Sequence, residues 1–278
     1  MQNKTAKIPL FLSTVVAGVA VFLRFRQLLF FTDHTTGLVE PDGEIYSYWI
    51  YGLIFCSAAL CLVFALRCRC SAPGIAPKSQ NKVVAFAFLN AAAFFMDFVL
   101  QAFDCFDYIE NTAYLERNEL ALMILLGVFA LLSSFYYITV GMTLSGSQYD
   151  FRSFRIFHFV PVVWAIIRLL DILVEMVNLS MGTETVIEFI YLVFLLMFYF
   201  SFITSAVSER NAGRGIVFFA MVTFMLSVIL ELPGIVTSLI GRQSELSDAV
   251  FSRITDLVCG LFAASFAGNL LKRSRNDW

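Results

Sequence analysis

Three ionisable residues, Arg168, Asp171 and Glu175, interrupt the apolar run from Phe159 to Ser180. Their spacing of i, i+3 and i+7 places them on one face of a helix. A helix that crosses lipid rarely turns charges toward the acyl chains, because a charge at the bilayer centre costs about 3 kcal/mol even on the lenient insertion scale. We therefore expect this face to lie inside a membrane protein, where an arginine can bind an anionic group and carboxylates can bind a cation or a proton.

Other apolar stretches carry rows of the same kind, in which charged residues alternate with small ones at helical spacing. Small residues let membrane helices approach closely and polar residues seek partners there, so such rows mark faces that are buried in protein. We expect the charged residues of these rows to form a site for a substrate or an ion. The candidate residues are Arg24, Asp97, Arg168, Asp171, Glu175, Glu231, Arg253 and Asp256.

The composition indicates what must position these residues. Of 278 residues, 59% are hydrophobic and only 14% are charged, which is atypical of a soluble domain. Eight apolar stretches are each long enough to cross a bilayer, and every connection between them is short. The sequence predicts an all-α, polytopic integral membrane helical bundle, a single membrane domain over residues 1–278 without a soluble domain. The predicted transmembrane helices are about Ile8–Phe31, Ile45–Leu66, Val83–Phe103, Leu120–Leu144, Phe157–Ser180, Val186–Ser208, Gly215–Ile240 and Ala249–Leu271.

Loop charges predict the orientation. If the spans alternate, nearly all basic loop residues fall on one side, and the opposite side holds only Arg117 and Arg242 beside two acidic loops. The positive-inside rule then places both termini in the cytoplasm. Lys4 and Lys7, followed by an apolar stretch through Ala20, could instead be a cleaved signal peptide, which would leave seven spans. The apolar run continues to Phe31, which favours a retained span.

The candidate residues are predicted to lie at similar depths in the bilayer. With each span centred in the bilayer, nine charged residues, four arginines and five carboxylates, lie between the midplane and the outer side. Spans two, four and six have no ionisable residue near their middles, so we expect them to form an outer, lipid-facing layer. In the seventh span, Pro233 supplies no amide hydrogen to the carbonyl of Ile229, which predicts a kink beside Glu231 similar to the broken helices of transporters.

Signatures of several other functions are missing. The chain contains no H-E-x-x-H, G-x-S-x-G, G-x-x-x-x-G-K or G-x-G-x-x-G motif, and Cys68 and Cys70 are too closely spaced for a usual zinc site. The two histidines, His34 and His158, fall at opposite ends of the predicted bundle. We expect no catalytic residue, metal or cofactor and lean against an enzyme. The basic loops follow from topology, so no nucleic acid is expected.

Three runs resemble a known group of proteins. Leu23 to Leu29, followed by Thr32-Asp33 and Thr36-Gly37-Leu38, resembles the end of the first span in uncharacterised multi-pass membrane proteins of clostridial Firmicutes. Pro161 to Leu170 and Glu188 to Phe194 resemble the same group. The resemblance implies a bacterial plasma membrane. It implies no activity, substrate or cofactor.

Two functions fit these observations. In the first, the protein binds or transports a small polar solute or an ion through an outward-facing polar core. In the second, it is a non-catalytic membrane scaffold or sensor subunit, whose buried charges are structural pairs such as Arg168 with Asp171 and Arg253 with Asp256. The lipid bilayer is the expected partner in both, and a small polar or ionic ligand only in the first. In the second, a protein partner that the sequence does not identify supplies the activity.

Overall fold

The chain folds into eight long helices in a computed structural model that describes residues 2–33, 38–68, 81–111, 117–146, 156–178, 182–208, 213–240 and 250–276. The helices are α1 Gln2–Phe30, α2 Glu44–Arg67, α3 Asn81–Asn111, α4 Arg117–Leu144, α5 Val160–Asn178, α6 Thr183–Ser208, α7 Gly213–Leu239 and α8 Val250–Asn276. Short 3-10 turns at Pro41–Gly43 and Phe157–Phe159 precede α2 and α5. Over the described ranges only an isolated bridge between Thr32 and Val39 is extended, so the predicted all-α fold is confirmed.

Every helix contains a stretch long and apolar enough to cross a membrane, and the protein is therefore a multi-pass membrane protein. The predicted spans agree with these helices to within a few residues at most ends. The largest difference is at α3, which continues beyond Phe103 to Asn111, because its acidic last turns remain helical where the apolar pattern stops. The predicted ends at Ser180 and Ala249 lie outside the described residues.

Six of the helices form a closed ring. In the order α3, α4, α5, α6, α7 and α8, each helix packs against the next, and α8 packs against α3. The remaining pair, α1 and α2, packs on the outside of α7. The odd-numbered helices end, and the even-numbered helices begin, at the same end of the bundle, here called the acidic end.

Aromatic side chains fill the middle of the ring. Phe94 of α3 contacts Trp164 of α5 edge to face, with ring centroids 4.8 Å apart, and stacks on Tyr137 of α4 at 5.4 Å. Tyr137 in turn meets Phe262 of α8 at 5.3 Å. Edge-to-face pairs of this kind stabilise the fold beyond the burial of their apolar surface. The Tyr137 hydroxyl is buried together with its ring and therefore needs a hydrogen-bond partner.

The expected layering of the helices is wrong for α6. In its most apolar stretch 44% of residues are buried, the same share as in α5, whereas α7 and α8 reach 61% and 56%. The prediction considered charges at mid-span only. Two of the polar residues that α6 buries, Thr183 and Glu188, lie near its start.

Candidate functional site

Arg24 of α1 connects three helices at the acidic end. Its side chain is 2% exposed and forms an ion pair with Glu184 of α6, with Nη2 and Oε2 3.1 Å apart. Nη1 donates a hydrogen bond of 2.7 Å to Oε1 of Gln27, whose amide donates to Oγ of Ser47 in α2 at 2.7 Å. Ser47 shares a hydrogen bond with Thr183 at the start of α6. The predicted row of Arg24 and Gln27 is therefore a buried polar face of α1.

Arg253 of α8 pairs with the same glutamate from another side. Its guanidinium forms a short ion pair with Glu184 and lies 3.8 Å, Nη1 to Oε2, from Glu231 of α7. The guanidinium occupies the space beside the backbone of Gly234, where a side chain would overlap it. Pro233 is part of α7, which continues as one helix from Gly213 to Leu239. Because Gly234 has no side chain, the guanidinium of Arg253 can lie against α7 beside the Glu231 carboxylate.

Arg168 of α5 holds two carboxylates from two further helices. Its Nη2 lies 2.6 Å from Oε1 of Glu188 in α6, and its Nη1 lies 2.7 Å from Oδ2 of Asp256 in α8. Asp256 is fully buried and Glu188 is 9% exposed. The guanidinium carbon also lies 5.5 Å from the ring centre of Trp164, one turn earlier in α5. Arg168 therefore fixes α5 against α6 and α8, and a ring face supplements its charge interactions.

Asp97 of α3 joins these groups from the remaining side of α8. It is 4% exposed, and Ala93, one turn earlier in α3, accepts a hydrogen bond from Thr255, the residue before Asp256. Arg253 and Asp256 lie three residues apart on one face of α8, so the groups around Arg168 and those around Arg253 adjoin each other and form one unit. We call this unit the ionic cluster. Its members are Arg24, Arg168, Arg253, Asp97, Glu184, Glu188, Glu231 and Asp256.

The prediction that Asp171 faces the interior is wrong. Its side chain is exposed at the surface of the bundle, whereas Arg168 and Ile172 are buried. Trp164 and Ile167 share one side of α5 with Asp171 and Val174, but only the first two are buried, so neighbouring helices cover that side no farther than about Arg168. Glu175 belongs to α5, but its side chain lies outside the described part.

Sequence reasoning missed two members of the ionic cluster, Glu184 and Glu188. Both lie in the first two turns of α6, at or beyond the edge of the predicted span. A signal was present, because Glu184, Glu188, Tyr191 and Tyr199 share one helical face. That face was not recognised, since α6 was considered only for charges at its middle.

The ionic cluster is not arranged as a conventional metal site. Among the described residues, no group of three or more His, Cys, Asp or Glu side chains could hold a metal ion. Each arginine of the cluster instead makes an ion pair with a carboxylate of another helix.

Comparison of the chain with protein-family models, with curated proteins and with solved structures yields no match. The resemblance to clostridial membrane proteins consequently remains a prediction that rests on the three runs of sequence alone.

Proposed function

We propose that this protein is a bacterial plasma-membrane protein that binds a proton or a small cation at its ionic cluster and transports it. The observation that supports this most directly is the balance of charge in the cluster. Five carboxylates, from α3, α6, α7 and α8, surround three guanidinium groups.

Charge balance matters because the cluster is largely enclosed by protein. Ionised groups in an apolar interior are costly unless opposite charges compensate them. Arg24 and Arg253 together match Glu184 and Glu231, whereas Arg168 faces both Glu188 and Asp256. A proton or a small cation bound near Asp256 would lower the cost of that second carboxylate.

The cluster also reaches the surface of the protein. The Glu184 side chain is 31% exposed, while its partners Arg24 and Arg253 are buried, so this glutamate lies at the boundary between the cluster and the acidic end. The loop charges favour a cytoplasmic location for both termini, and hence an outward-facing acidic end. A ligand would then enter from outside, past Glu184.

Trp164 offers a direct test of binding, because its ring contacts Arg168 and is fully buried. With Trp49 and Trp278 replaced by phenylalanine, fluorescence reports on Trp164 alone. We expect the emission of the purified protein to change saturably when protons, Na⁺ or K⁺ are titrated, and the change to be lost in Asp256→Asn. The matched control is Asp107→Asn, on the exposed last turns of α3. No response to any of these ions would contradict the proposal.

The second candidate function is a membrane scaffold or sensor subunit, and the ion pairs between helices favour it. Arg168→Ala separates the two candidates. A variant that accumulates and elutes as a folded protein but no longer responds to ions supports ion binding. A variant that fails to accumulate, together with an absent ion response in the parent protein, supports a structural role.

A further inference from the structure

We propose that a proton path runs through the ring of helices from His158 at the opposite end of the bundle to Asp256 in the ionic cluster. The inference rests on the proposed function and narrows it, since it identifies the transported ion as a proton. The path consists of His158, Tyr136, Tyr137, Tyr199, Cys259 and Asp256, and all six side chains are buried.

The central part of the path is a chain of hydrogen bonds across three helices. The hydroxyls of Tyr137 in α4 and Tyr199 in α6 lie 2.7 Å apart. The Tyr199 hydroxyl also donates to Sγ of Cys259 in α8, at 3.8 Å. When Tyr199 donates to sulfur, Tyr137 must donate to Tyr199. Each of these groups both donates and accepts a hydrogen, which is the property that a proton relay requires.

Cys259 extends this chain to the ionic cluster. It lies three residues after Asp256, one turn along the same face of α8. Its thiol donates to Oδ1 of Asn90 in α3 at 3.2 Å, and Tyr191 donates to the backbone carbonyl of Asp256 at 3.1 Å. These contacts hold the segment of α8 between the cluster and the hydroxyl chain.

His158 is the end of the path that lies opposite the ionic cluster. It belongs to the 3-10 turn before α5, ten residues and about 15 Å from Arg168 along the helix. Its Nδ1 is 3.3 Å from the hydroxyl of Tyr136, which is next to Tyr137 in α4. The two tyrosine rings meet edge to face at 5.2 Å. Imidazole exchanges protons near neutral pH more readily than any other side chain, so His158 suits the entry or exit of a relay.

Proton transfer along the path leaves Tyr136, Tyr137, Tyr199 and Cys259 chemically unchanged, while His158 loses a proton and Asp256 gains one. A proton that His158 passes to the Tyr136 oxygen releases the hydroxyl proton of Tyr136 to Tyr137, and the same exchange follows at Tyr199 and Cys259. The final proton binds to the carboxylate of Asp256. Transfer from Tyr136 to Tyr137 and from Cys259 to Asp256 requires rotation of the donor group or an intervening water molecule.

The test is proton flux into liposomes that contain the purified full-length protein and a pH-sensitive dye, driven by a potassium diffusion potential. We expect wild-type protein to acidify the lumen, and Tyr199→Phe to slow the rate roughly tenfold or more, since the change removes a hydrogen bond from the relay and keeps the ring. His158→Gln should slow it similarly. Tyr48→Phe, an exposed tyrosine of α2 outside the path, is the matched control and should match wild type.

Wild-type rates in both Tyr199→Phe and Tyr137→Phe, or no proton flux with the wild-type protein, would overturn the path. The cation site is tested separately by Trp164 fluorescence, because that measurement does not require transport. If fluorescence responds to ions while the flux does not depend on Tyr199, only the path is wrong. Size-exclusion profiles identical to wild type establish that the conservative variants are folded.

Discussion

The guanidinium of Arg253 lies against the backbone of Gly234, in the space that any side chain at this position would occupy. Arg253 reaches Glu231 and Glu184 only because α7 presents no Cβ atom there. A helical glycine that costs about 1 kcal/mol relative to alanine is thus retained for a packing reason. In the Pro233-Gly234 sequence, for which a kink stays a prediction, it is Gly234 that leaves room for the arginine.

Gly234→Ala should therefore destabilise the protein by about 1–3 kcal/mol, because it forces Arg253 away from its carboxylate partners. The measurement is thermal unfolding in detergent, combined with the amount of protein in the membrane. Gly52→Ala is the matched control, since nothing lies near an added methyl group at that position of α2. It should be neutral or slightly stabilising. Equal effects of the two changes would show that the fit to Arg253 is unimportant.

Gly260 of α8 plays a similar part against α7. A Cβ atom at this position would overlap the hydroxyl of Ser227 and lie 2.8 Å from its Cβ. We expect Gly260→Ala to separate α7 from α8 and to lower the unfolding temperature. Adding Ser227→Gly should recover part of the loss, because it removes both overlapping atoms. If the distant Gly52→Ala change, combined with Gly260→Ala in place of Ser227→Gly, recovers as much stability, the recovery is general stabilisation and not relief of this contact.

Replacing Arg168 by glutamine should cost about 3–5 kcal/mol, because it leaves Glu188 and Asp256 without their shared guanidinium. The double variant Arg168→Gln/Asp256→Asn should recover a substantial part of this loss, since it also removes one buried acid. Membrane accumulation and thermal unfolding measure both effects. If the double variant is no better than Arg168→Gln, the repulsion between the two acids is not what destabilises the single variant.

Coupling between Arg24 and Glu184 can be measured with a double-mutant cycle of Arg24→Gln and Glu184→Gln. Residues in direct contact typically couple by about 0.5–3 kcal/mol. We expect a value in the lower half of that range, because Glu184 is 31% exposed and water screens its charge. A parallel cycle of Arg24→Gln with Asp107→Asn should show no coupling.

Orientation can be tested with two free cysteines at opposite ends of the bundle, Cys105 near the end of α3 and Cys68 just after α2. Two variants are needed, each keeping one of these thiols and carrying serine at every other cysteine. With the termini in the cytoplasm, a membrane-impermeant maleimide should label Cys105 in intact cells. It should reach Cys68 only after permeabilisation. The reverse pattern would invert the proposed topology and the direction in which the acidic end faces.

The sequence by itself determined the eight membrane helices and most of the buried charges. Hydrophobic runs about 20 residues long have few alternatives to a membrane helix, since lipid offers no partner for the polar backbone. Arg24, Asp97, Arg168, Glu231, Arg253 and Asp256 could be identified for a related reason, because a charge inside such a run must face protein.

Only the tertiary structure decided which of these charges meet. Helical spacing gives the face of a residue but not the neighbour that covers it, so it could not reveal that Arg168 binds Glu188 and Asp256. The relevant part of α6 lies at its polar start, where hydropathy gives no signal. The contact between Tyr137 and Tyr199 likewise depends on α4 and α6 lying on either side of α5, with both hydroxyls turned into the ring. Partners far apart in sequence are set by packing, which a single sequence does not record.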